Sequence, residues 1–291
     1  MARVPSTTPD GLRLRRDPQR GLKVILGHVV PLELRIVLPD GGDRSWTGGS
    51  IWASGLVLAD WLARQPSPGP LAGKKVLELG CGAAPLAAAV AALRSEAAVV
   101  VATDGDATAV LAAEENLRQC SDLDANVASR LMVAQLDWGA ATQGAVPRGS
   151  YDAVLFADCI YTEDAATALA ACVDHCLACG AEGVVYGVIP DERVGASDLC
   201  REMQKRGFVA WELDLGPSAL AHETAVHAAS AAESATAVQH GICRLVCWRR
   251  GPLPGEQDDG QRLVQHFDHA IGAAELQVEE RLRKLGYEPT E

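Results

Sequence analysis

Asp158 and Tyr161 stand three residues apart at the exit of the apolar run Val154-Leu155-Phe156. A buried strand gains nothing from an ionisable group at its end, so the pair asks for a chemical reading. A carboxylate can hold an ammonium group and keep its lone pair aimed once the proton has gone. A phenol face attracts a cationic head by cation–π contact worth about 0.5–2 kcal/mol. Just beyond the C-terminal end of a strand is also where open α/β sheets take their ligands. The pair therefore reads as the working edge of an active site, chemically suited to a cationic head. The plainer alternative has Asp158 capping the next helix with Tyr161 packed beside it. Cys159, between them, has no His neighbour in sequence and reads as a strand-end thiol rather than a nucleophile.

A second group of residues offers a place for a cofactor. In "KKVLELGCGAAPLA" (74–87) an apolar strand ends in Glu78-Leu79-Gly80-Cys81-Gly82, and a helical pattern starts soon after. Glycines there allow a tight turn and let a ligand approach backbone N–H groups at a helix N-terminus. About twenty residues on, "VVVATDGD" (99–106) puts Asp104 at the tip of a second strand, where a carboxylate can accept both ribose hydroxyls of an adenosine. The plainer reading makes Asp104 the cap of the following helix. NAD and S-adenosylmethionine both suit this geometry. The dinucleotide fingerprint, however, would need a small residue where Pro85 stands. Glu78, two places before the first glycine, adds negative charge that disfavours a pyrophosphate and suits a sulfonium and an α-ammonium.

These residues need a scaffold. From residue 75 onward short apolar strands alternate with Ala/Leu-rich helices. Strands are expected at 75–79, 98–102, 131–136, 153–156, 183–189, 208–213 and 243–248, with helices at 85–95, 107–119, 165–179 and 197–206. Such alternation predicts a doubly wound, mostly parallel, seven-stranded Rossmann-like α/β sheet. Runs such as "VVVA" and "GVVYGVI" fit strands buried on both faces. The last two strands predict an antiparallel C-terminal edge. The domain plan has four parts. Residues 1–20 form a flexible lead, and 21–70 an N-terminal β-hairpin and a helix (51–63) packed on the core. Residues 71–250 form the cofactor-binding domain, and 251–291 a linker and C-terminal helix (261–285). Within the third part, 216–240 is an Ala/Ser/His-rich insertion without a motif, and its histidines read as solvated.

Composition narrows the function classes. With 48% apolar and 22% charged residues the chain can bury a core. Apolar runs such as Leu86–Leu93 fall short of the roughly 20 residues a membrane span needs. A net charge of −12, with no basic stripe beyond Arg13-Leu14-Arg15-Arg16, argues against nucleic acid and fits a small molecule or a protein presenting Lys or Arg. Nine cysteines without a secretory leader pattern indicate a reducing, cytoplasmic setting, an organelle or the nucleus being the alternatives. "CVDHCLAC" (172–179) tempts with four ligand types. One straight helix cannot wrap them around a metal, though, so no metal site is expected.

Five stretches together, "SIWASGLVLADWL", "VLELGCG", "ATD", "LDW" and "YDAVLFADCIY", resemble the seven-β-strand S-adenosylmethionine-dependent methyltransferases. Within them the resemblance is to methyltransferase family 16, mostly protein-lysine methyltransferases. It spans about residues 45–215 plus the last strand. It implies S-adenosyl-L-methionine as cofactor, with Trp52 beside it and Gly80, Cys81 and Gly82 along its methionine moiety. Asp104 would meet the ribose, Asp137 and Trp138 the adenine, and the backbone of Ala157 the adenosine. It places the D-x-x-Y pair Asp158 and Tyr161 at the substrate lysine. The expected activity is methyl transfer to a lysine amine of a protein by a monomer. A histidine or small-molecule acceptor, or a cofactor-binding scaffold without turnover, are the alternatives. "GCGAAPLA" departs from the family's "GxGTGL" by losing a hydroxyl and a glycine, which bears on cofactor affinity.

Overall fold

The computed structural model describes residues 13–17, 21–26, 32–36, 47–49, 51–120, 125–180, 182–215, 243–251 and 258–284. The insertion at 216–240 and most of the linker after 251 lie outside these residues. Seven strands form the central sheet: β4 (Lys75–Leu79), β5 (Val99–Asp104), β6 (Leu131–Gln135), β7 (Ala153–Ala157), β8 (Val184–Pro190), β9 (Phe208–Leu213) and β10 (Cys243–Arg250). Their order is β6-β5-β4-β7-β8-β10-β9. The strands from β6 to β8 pair in parallel, whereas β10 is antiparallel to both of its neighbours. The last strand in sequence is thus slotted between β8 and β9, and six strands share one direction. This is the expected doubly wound sheet with its antiparallel C-terminal part.

Three further strands, β1 (Arg13–Asp17), β2 (Gly21–Leu26) and β3 (Leu32–Ile36), form a separate antiparallel meander. Part of the segment read as a lead is therefore the first strand of that meander, where a hairpin was expected.

Helices α1 (Ala53–Arg64), α2 (Leu86–Leu93), α3 (Ala107–Arg118), α4 (Ala125–Ala128), α5 (Trp138–Ala140), α6 (Glu163–Cys176), α7 (Ala196–Lys205) and α8 (Gly260–Lys284) cover the sheet. Two apolar layers result. One packs α1 and α2 on one face, around Leu58, Leu62, Val76 and Val90. The other packs α6, α7 and the start of α8 on the opposite face, around Phe156, Leu169, Leu199 and Phe267. Burial on both faces explains why β8 is apolar along its whole length: all seven of its residues are buried. Gly187 is required there, because a Cβ would lie 2.2 Å from the Phe156 ring, which in turn stacks on Trp248 at 5.7 Å.

The outer edge of β9 is covered by the approach to α8. Asp258 accepts from Ala210 N–H (3.1 Å) and Asp259 from Glu212 N–H (3.2 Å), while Asp259 N–H donates to Ala210 O (2.8 Å). Edge strands need such cover to avoid pairing with other chains. Among the described residues, no helix is long and apolar enough to cross a membrane.

Candidate active site

A cavity of about 350 Å³ opens at the C-terminal ends of β4, β5 and β7. All eleven site residues expected from the sequence line it: Trp52, Glu78, Gly80, Cys81, Gly82, Asp104, Asp137, Trp138, Ala157, Asp158 and Tyr161. Parallel pairing of β4 with both β5 and β7 aligns three strand exits, so residues 80 positions apart in sequence meet there.

The floor is the turn after β4. Gly80 and Gly82 have φ of +67° and +58°, a region that side chains disfavour. A Cβ on Gly80 would sit 2.6 Å from Cys159 Sγ, and one on Gly82 would sit 3.0 Å from Gly48 O. The turn is held from several sides. Cys81 N–H donates to Thr103 O (2.9 Å), Ala83 N–H to Gly48 O (2.7 Å), and the buried Asn116 amide to Ala83 O (2.7 Å). The altered stretch Ala83-Ala84-Pro85 is thus anchored without the hydroxyl and glycine of the family pattern, and Pro85 is the N-cap residue of α2.

Charge at the floor is acidic. Glu78 is 5% exposed and accepts the Ala88 N–H of α2 at 2.9 Å. Burial, followed by the charge of Asp104, pushes its carboxyl up to about 7, against the pull of the Ala88 N–H. Asp104 accepts from Gly82 N–H and Asp106 N–H, one on each oxygen, at 2.9 Å. A carboxylate has about four acceptor sites, so two remain for ligand hydroxyls. The cap of α3 is Asp106, which accepts from Thr108 N–H. Asp104 is therefore not that cap.

Asp137 caps the short α5 through Ala140 N–H (3.0 Å) and thereby presents Trp138 to the cavity. Trp52 donates its indole N–H to Thr47 O at 3.0 Å, which fixes its ring at the other wall.

At the mouth, Asp158 is a non-glycine residue at φ +54°, and its side chain is fully buried. Arg193 grips it at two points: Nη2 donates to Oδ2 at 2.8 Å and Nε lies 2.6 Å from Oδ1. The cap of α6 is Thr162, accepting from Ala165 N–H, so Asp158 is not a helix cap either. Tyr161 is 45% exposed on the rim, and its surroundings, chiefly burial, push its phenol up to about 12. Cys159 is a packing residue: its thiol donates to Leu79 O at 3.1 Å, and burial pushes its pKa well up.

Sequence reasoning missed Thr47, Gly48, Ile51 and Asp106 in the lining, and Arg193 behind it. The glycine pair Gly48-Gly49 was a signal for the first two. Arg193 carried none. The cysteine-rich stretch does not converge. Cys172 and Cys176 are buried with sulfurs 3.9 Å apart, His175 bonds Val146 O, and α6 ends at Cys176, leaving Cys179 exposed beyond it. That corrects the longer helix expected to residue 179.

The residues present fit S-adenosylmethionine. The glycine turn lines the cavity and presents backbone rather than side chains to a ligand there. Two carboxylates at the floor suit a cation and a pair of hydroxyls, and aromatic walls suit a base.

A family comparison agrees with that chemistry. The family model described as lysine methyltransferase matches residues 34–205. No curated protein matches the chain. Among solved structures, the chain is 18% identical to the arsenic(III) S-adenosylmethionine methyltransferase CrArsM from Chlamydomonas reinhardtii, over 70% of this chain and 76% of that one, with a TM-score of 0.40. A putative sarcosine dimethylglycine methyltransferase from Galdieria sulphuraria is 15% identical over 77% and 78%, at 0.42. P. horikoshii TYW2, in complex with MeSAdo, is 12% identical over 84% and 74%, at 0.43. The chain belongs to the lysine methyltransferase family of S-adenosylmethionine-dependent methyltransferases.

Proposed function

We propose that the protein methylates the side-chain amine of a lysine in a protein acceptor. The observation that carries this is the mouth of the cavity, where a carboxylate and two aromatic residues, Asp158, Tyr161 and Trp52, adjoin the glycine turn at one sheet edge. When bound, S-adenosylmethionine supplies an electrophilic methyl group on a positively charged sulfur.

The chain's own residues do the rest. Gly80, Cys81 and Gly82 let the methionine part lie against backbone, with Glu78 offsetting its positive charge. Asp104 takes the ribose hydroxyls, and Asp137, Trp138 and the Ala157 backbone frame the adenosine. Asp158 accepts an N–H of the amine and aims its lone pair, while Tyr161 and Trp52 wall the channel and exclude water. Positioning of this kind can supply most of the acceleration, since a well-oriented pair reacts as one molecule.

On this reading residues 71–250 are the methyltransferase domain. Residues 21–70 and the C-terminal helix flank it, and the chain works as a cytoplasmic monomer whose net charge of −12 favours a basic acceptor. The test incubates a cell extract with the protein and methyl-labelled S-adenosylmethionine, then hydrolyses the labelled band. Methyllysine in a band that disappears with Asp158→Ala, while calorimetric cofactor binding persists, is the expected result. Label in histidine or in small molecules only would overturn it.

A further inference from the structure

We propose that Arg193 is a positioning residue for methyl transfer: it fixes the Asp158 carboxylate and, by its charge, admits the acceptor amine in neutral form. The inference rests on the lysine reading above.

The loop between β8 and α7 is built to hold this side chain in place. Arg193 N–H donates to Pro190 O (3.1 Å), and Ala196 N–H donates to Arg193 O (3.0 Å), so turns bracket the residue. Gly195 lies at φ +86°, and a Cβ there would come within 2.7 Å of Ile160 Cγ2 and 2.8 Å of Thr162 O. The loop therefore lies flush on the segment that carries Asp158 and Tyr161. From it the guanidinium reaches both oxygens of Asp158 and sits 5.6 Å from the Tyr161 ring centroid and 5.9 Å from that of Trp52. One cation thus already occupies the carboxylate and aromatic environment of the mouth.

That arrangement answers a difficulty of the chemistry. A lysine amine, with an ordinary pKa near 10.4, is almost wholly protonated at neutral pH and then has no lone pair to offer. A lone buried carboxylate would stabilise the ammonium and make matters worse. Paired with a guanidinium, the same carboxylate carries little net charge, and a second cation beside it is disfavoured by like charge. A carboxylate has about four acceptor sites, so one engaged by a guanidinium can also take an N–H from a neutral amine and so orient it. The amine's proton leaves to solvent as it enters, and Asp158 need not act as a base.

Other titratable and charged groups at this edge are Cys159 and Tyr161 beside Asp158, and Glu78, Cys81, Asp104, Asp106 and Asp137 at or beyond the ends of β4, β5 and β6. The thiol and phenol are both pushed upward by burial and stay neutral across a range of pH 6.5–9.5 chosen on the order of the amine's titration. A bound cation at the floor favours ionised Glu78 and so moves its titration downward, away from this range.

The test uses the full chain with Arg193→Met and Arg193→Lys. Calorimetry with S-adenosylmethionine should find all three proteins within about threefold in affinity, because Arg193 acts on the acceptor side. Labelling of the acceptor band in a cell extract is then followed against pH. Arg193→Met should lose on the order of 100-fold at pH 7, with its pH–rate midpoint raised by about one unit or more. Arg193→Lys keeps the charge but not the two-point grip, so it should keep the native midpoint at a reduced rate. An Arg193→Met protein with native rate and midpoint would overturn the proposal. So would faster labelling, which would make the guanidinium an occupant that the acceptor must displace. Should Arg193→Met unfold or lose the cofactor, Arg193→Lys decides: a raised midpoint overturns the proposal and a native one supports it. Absence of any labelled band with the native chain overturns the lysine reading, and this inference with it.

Discussion

Glu78 is the residue on which pH acts most directly. Its carboxyl is pushed up to about 7 from 4.5, chiefly by burial. Between those two values the folded chain holds a proton that an unfolded chain has released. On this account the stability of the cofactor-free protein falls as pH rises from about 4.5 to about 7 and is level outside that window. A cation bound at the floor favours the ionised form. Affinity for S-adenosylmethionine should therefore rise with pH up to about 7, with a proton released on binding below it. Calorimetry in buffers of differing ionisation enthalpy reads that proton directly, and Glu78→Gln should abolish both the release and the slope. Gly82→Ala tests the turn: a side chain at φ +58° against Gly48 O should cost about 1–2 kcal/mol, or roughly tenfold in cofactor affinity. Both residues were legible from the sequence, because a glycine turn with a preceding acid is a local pattern. Arg193 was not, since its meaning arises only when a loop 35 residues downstream folds back onto Asp158.

At the scale of elements, β4 and β9 both span their expected ranges, 75–79 and 208–213. Where bounds shifted, a local rule was overlooked. Helix α6 starts at Glu163 rather than 165, because Thr162 caps it and Glu163 and Asp164 complement its N-terminal dipole. Thr162→Ala should lower stability by about 1 kcal/mol in urea unfolding while cofactor binding is kept. Strand β8 is less forgiving. Gly187→Ala drives a methyl into the Phe156 ring and should cost about 1–3 kcal/mol, seen as a lower urea midpoint with unchanged slope. The short arch at Thr47–Gly49 over the glycine turn escaped the sequence reading, because three residues of irregular backbone carry no periodicity.

For the whole molecule, the alternation of strands and helices was enough to name the sheet, yet the place of β10 within it was not legible. An antiparallel pair of late strands fits either order, and only packing decides which one touches β8. The net charge of −12 acts at this scale too. If the acceptor is basic, the labelling rate at low acceptor concentration should fall several-fold between 50 and 500 mM salt, as screening shortens the reach of the field to a few ångströms. Cofactor affinity, set inside the cavity, should change less.

The insertion of β10 between β8 and β9 also sets the order in which the strands can pair as the chain is synthesised. Residues 75–190 can assemble five parallel strands, and with them the entire cavity floor, while the remainder is still being made. Strand β9 cannot join, because its neighbour in the sheet is synthesised some thirty residues later. Until residue 250 emerges, β8 presents an open apolar edge and β9 a solitary strand, the kind of exposure that nascent chains entrust to chaperones. Asp258 and Asp259 follow β10 in the chain, so the far edge of the sheet is covered only after all seven strands have been made.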